Sequence, residues 1–184
     1  MKISSLTIVE SLKGMLLRFP ALVDCLQNKN FNFLSLLENW MREAETILIN
    51  NQIAECSEIA GLRSKIIAPL FAGQHGRSNK KMQLQIASGL LYEIQKTIIS
   101  VLKRYEIKVD GARDLLINLL SILKQSGAIK YSDSIDFQSF INHIWNMFST
   151  HEQLKPGTVK ILTLISQIDA LRIIAEEINL EEWR

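Results

Sequence analysis

Residues 84–105, LQIASGLLYEIQKTIISVLKRY, set Leu84, Ala87, Leu91, Ile94, Ile98, Val101 and Tyr105 three or four positions apart. That spacing draws one apolar stripe along an α-helix of about six turns. Near the C-terminus the same stepping returns as Ile161, Leu164, Ile168, Leu171, Ala175 and Ile178. Over 34–48 it picks out Leu34, Leu37, Trp40, Met41, Ala44, Ile47 and Leu48, with Glu38, Arg42, Glu43 and Glu45 facing outward. No segment alternates apolar and polar residues as a half-buried strand does, and no Asn-Gly or Asp-Gly pair joins two such runs. The fold class read from this pattern is all-α.

Punctuation residues divide the helices. Pro20 ends or kinks the first, and the NKNFN cluster at 28–32 offers caps for the next. Asn50 and Asn51 interrupt before a segment at 53–72, and Gly73 to Asn79 reads as a loop. Asp110 is expected to cap a helix at 111–125 that Gly127 closes, Asp133 to cap 134–150, and the KPG at 155–157 to separate the last helix. About seven helices result, joined by loops short enough for mostly antiparallel neighbours in one helical bundle. The chain is read as a single all-helical domain over 1–184, with a subdivision, if any, at the 73–79 loop. No repeat of fixed period supports a solenoid.

Composition agrees with such a bundle. A chain of 184 residues buries about 70% of the surface that its unfolded form exposes. Apolar residues make up 47% and charged residues 22%, which excludes a charge-dominated disordered chain. Cys25 and Cys56 lack metal-ligand spacing and read as two buried free thiols of a reducing compartment. The first twenty residues have no uninterrupted apolar core of a secretory signal, and no apolar run approaches the roughly 20 residues that cross a bilayer. Cytoplasmic location without membrane association is the expectation.

Two segments carry more apolar surface than one helix face needs. LLINLLSIL at 115–123 has only Asn118 and Ser121 as polar residues, and FQSFINHIWNMF at 137–148 is rich in aromatics. Each is expected to be enclosed or to face another subunit. Leu162, Ile165, Ile173 and Ile174, outside the last helix's main stripe, point the same way.

Charge is unevenly distributed. Residues 73–130 hold ten Lys/Arg against four Asp/Glu, whereas 131–184 hold four against eight. Lys103 and Arg104 close the helix read over 80–104, where cations meet the negative end of the helix dipole. Arg77, Lys80 and Lys81 lie at the opposite end, beside free backbone amides that already favour an anion. They are therefore candidates for holding a phosphate, a nucleic-acid backbone or a partner's acidic side chain. Glu176, Glu177, Glu181 and Glu182 crowd a helix C-terminus, where anions are disfavoured, and call for a cationic partner. The 77–81 cluster is the expected one, within the chain or in a second copy.

No catalytic motif appears. His143 and His151, eight positions apart, lie about 12 Å apart along a helix, too far to share a metal, and no zinc-hydrolase, serine-hydrolase or di-iron signature is present. No catalytic residue, metal ligand or cofactor site is assigned. The sequence points to a non-catalytic helical interaction or accessory subunit, self-associating or binding a protein partner through an apolar helix face with charged ends. The alternative is an accessory nucleic-acid binder contacting phosphates through Arg77, Lys80, Lys81, Lys103, Arg104, Lys108 and Arg113.

Overall fold

The computed structural model describes residues 3–71, 76–132 and 134–184, leaving aside the side chains of 76–78. Every described element is helical: α1 (Ser5–Leu17), α2 (Phe19–Gln27), α3 (Phe33–Asn50), α4 (Cys56–Ile67), α5 (Gly76–Ser126), α6 (Phe137–Thr150), α7 (Lys155–Leu164) and α8 (Gln167–Glu177), with 3-10 turns at Ala68–Phe71 and Leu180–Trp183. The all-α expectation holds. None of the described helices is long and apolar enough to cross a membrane.

Two compact units divide the chain, Thr7–Arg104 and Met1–Leu6 with Tyr105–Arg184. The chain passes between them twice, inside α1 at Leu6–Thr7 and inside α5 at Arg104–Tyr105, and not at 73–79. Of that segment, 73–75 lie outside the described residues, and 76–79 already belong to α5 rather than to a loop.

In the first unit α3 packs against α2 and α4. Its stripe reads as the spacing predicts: Leu37, Trp40, Met41, Ala44 and Leu48 are buried. Trp40 donates its indole N–H to the Met15 carbonyl at 3.0 Å and meets Phe19 edge-on at a centroid distance of 5.1 Å. Burial of this indole therefore leaves no donor unmet. Pro20 falls in the first turn of α2, where its missing N–H costs nothing. Ala87, Leu91, Ile94, Ile98 and Val101 of α5 complete the core.

The second unit is built on the rest of α5. Here the expected break at Asp110 does not occur, because Val101, Tyr105, Val109, Ala112 and Leu116 keep the four- and three-residue step straight through it. Val109, Ala112 and Leu116 are buried, which outweighs the roughly 1 kcal/mol that Gly111 costs inside a helix. Gly127, at φ +64°, does end the helix as expected. LLINLLSIL is covered on one face only: Leu116, Leu119, Leu120 and Leu123 are buried, while Ile117 and Ile122 are 42% and 51% exposed.

The cap of α6 is Asp136, whose carboxylate accepts from the Ser139 N–H at 2.9 Å; Asp133 lies outside the described residues. Phe140, Ile141, Ile144, Trp145 and Phe148 turn into the core. The last helix proves to be two. KPG starts α7 instead of preceding it, and Gly157 lets the chain approach Leu119, whose Cδ2 would stand 3.0 Å from an added Cβ. A new helix then starts at Ser166, whose hydroxyl accepts from the Asp169 N–H while the Asp169 carboxylate accepts from the Ser166 N–H. The break resets the helical phase, so Ala170, Ile173 and Ile174 are buried while Ile168 is exposed.

Candidate functional site

The first unit carries a groove of about 370 Å³, lined by Leu26, Lys29, Asn30, Phe31, Phe33, Leu34, Lys80, Lys81 and Leu84. Its wall is the turn from α2 to α3. Asn30 N–H reaches the Cys25 carbonyl at 2.9 Å and Lys29 N–H the Leu26 carbonyl at 3.0 Å. These are the two bonds of a Schellman C-cap, which needs a left-handed residue where the helix stops. Lys29 fills that place at φ +52°, a conformation that glycine adopts without strain. Asn30 Oδ1 then accepts from the Asn32 N–H at 2.9 Å, closing the turn and leaving Phe31 78% exposed. On the opposite side stand Lys80, Lys81 and Leu84 of α5, with Leu84 39% exposed.

No carboxylate among the described residues pairs with Lys29, Lys80 or Lys81. The described arginine side chains of the same unit differ: Arg18 binds Glu43, Arg42 binds Glu38, Arg63 binds Glu45 and Arg104 binds Glu55. Bonding to Glu45 holds the Arg63 guanidinium above its ordinary range, and Arg104 holds the Glu55 carboxyl below its own.

The other expected residues fare unequally. Lys80 and Lys81 do come together at one surface, although they stand one turn inside α5 and not beside its free first-turn amides; the Arg77 side chain lies outside the described residues, as does His75. Lys103 and Arg104 lie mid-helix, so no helix end accounts for them. Lys108 sits over the Tyr105 ring at 5.0 Å. In the second unit Arg113 donates to both Glu176 and Glu177 and Lys124 to Glu182 at 2.6 Å, while the Asn179 side chain caps the Glu181 N–H. Arg113 and Lys124 are thus cations that answer the acidic C-terminal cluster; the expected 77–81 partner includes Arg77, whose side chain lies outside the described residues. Glu176 and Glu177 end α8 where the dipole disfavours them, and Arg113 offsets this.

Lys29 and Phe31 were hidden in the sequence because NKNFN reads as a set of caps. The cue was the absence of glycine after α2, which forces a side-chain-bearing residue into the left-handed position. The two cysteines are free but half-buried rather than buried as expected, and no cluster among the described residues is arranged to hold a metal ion. No protein-family model, curated protein or solved structure matches the chain.

Proposed function

We propose that this chain is a non-catalytic interaction subunit whose docking site is the groove between the α2–α3 turn and the start of α5. One observation carries the reading: an open groove lined mostly by apolar side chains also has three lysines in its lining, to which no described carboxylate is bound. Apolar area supplies affinity in such contacts, and unpaired rim charge selects the partner and speeds encounter. Phosphate binding by the cations of 103–113 draws less support, since Arg104 and Arg113 are already bound to carboxylates.

Alanine at Phe31 and Leu84, both solvent-facing, leaves the fold intact and tests the site. Co-purification followed by mass spectrometry should recover a partner with the native chain and lose it with this double variant, but not with alanine at exposed Ile122. Equal recovery by all three chains would refute the groove as the docking site. Sedimentation identifies the case in which the partner is a second copy. Binding of a generic single-stranded oligonucleotide at low salt, abolished by Lys80→Ala with Lys81→Ala, would install the phosphate reading instead.

A further inference from the structure

We infer that the groove's occupant is an acidic amphipathic helix from another protein, seated with its apolar side chains on the floor around Phe31 and Leu84 and its carboxylates against Lys29, Lys80 and Lys81. This rests on the reading of the groove as a protein-docking site and names what it selects.

The charge is complementary and arranged on both banks. Lys29 stands on the α2–α3 turn and Lys80 and Lys81 on α5, in a lining that also carries Leu26, Phe31, Phe33, Leu34 and Leu84. A helix lying in that trough presents apolar residues at i, i+3 or i+4 and i+7 downward and acidic residues to either side. Small anionic ligands demand a few fixed polar groups. The groove's cations are exposed lysines on flexible stems, which hold no anion in a fixed geometry. Point charges on flexible stems select a partner by sign more than by shape.

The left-handed turn supplies a discriminating variant. Lys29→Gly removes one rim charge while relieving the backbone, so the protein becomes more heat-stable and its loss of binding cannot come from unfolding.

The probe is a synthetic 18-residue helical peptide with leucines at the i, i+3, i+4 and i+7 positions and glutamates elsewhere, compared with a twin carrying lysines in place of the glutamates. Isothermal titration of the full chain should show the acidic peptide binding and the basic twin not binding. Lys29→Gly should weaken the acidic peptide about three- to tenfold, and Lys80→Glu with Lys81→Glu by more than about thirtyfold. Raising salt from about 0.05 to 0.5 M should weaken it roughly tenfold. Equal binding of both peptides, lost with alanine at Phe31 and Leu84, would overturn the acidic preference and keep the docking groove. Binding of neither peptide overturns the inference, and if dodecanoate then binds and is lost in the lysine variants, the groove takes a small amphiphile and the docking reading falls with it.

Discussion

Lys29 and Gln52 occupy equivalent places. Both end a helix at positive φ, 52° and 54°, and Ile53 N–H closes onto the Leu48 carbonyl at 2.9 Å as Asn30 does onto Cys25. Glycine at either position should stabilise the fold by about 1 kcal/mol, read as a rise in urea midpoint without a change in slope. Only the Lys29 variant alters the groove, so the pair separates strain from function. Glu55 makes a second point at this scale. Its carboxyl titrates below the ordinary 4.5, chiefly through the hydrogen bond from Arg104. The folded state thus binds fewer protons than the unfolded chain, and the gain is present above pH 4.5 and disappears as pH falls through the lower folded value. Since Arg104 is half exposed, the gain stays under about 1 kcal/mol. Native chain and Glu55→Gln should therefore differ by that amount in urea unfolding at pH 7, and the difference should shrink as the pH falls below 4.5.

Among the elements, α5 decides how far the sequence could be read. Its 51 residues were legible as two helices, because Asp110-Gly111 resembles a cap followed by a start. If Asp110 were an N-cap, Asp110→Ala would cost about 1 kcal/mol; in an unbroken helix it is neutral or slightly stabilising. Gly111→Ala should add about 0.5–1 kcal/mol, since the new Cβ meets only Leu164 Cδ1 at an ordinary 3.7 Å. Thermal denaturation of both variants measures this directly. The stripes of α3 and α6 were legible because burial follows a period that composition exposes. Breaks were harder: proline and glycine look alike at a helix start, in its interior and past its end, and only burial on both sides of Asp110 shows that the helix continues. The Ser166–Asp169 box was readable from its spacing, yet it lies in an apolar stretch whose stepping suggests one helix. At the groove, Lys80 and Lys81 were visible as charge, while Lys29 and Phe31 depend on a turn that brings them opposite α5.

For the molecule as a whole, the second unit draws on both chain ends. Asp169, fully buried, accepts from the Ser5 N–H at 2.8 Å and from the Ser4 hydroxyl, besides closing its own cap. Asp169→Ala strips a buried amide and a hydroxyl of their acceptor and should cost about 2–3 kcal/mol, whereas Asp169→Asn keeps one acceptor oxygen and loses about half as much. Equilibrium urea unfolding distinguishes them, and a chain lacking residues 1–5 should fall near the alanine variant. The separation between these partners, 164 and 165 positions, also fixes an order of events in the cell. At ribosomal speeds of about 5–20 residues per second, Ser4 and Ser5 are made roughly 8–30 seconds before Asp169. Throughout that interval the two serines lack the Asp169 carboxylate that holds them, so this part of the second unit closes only after residue 169 has been added.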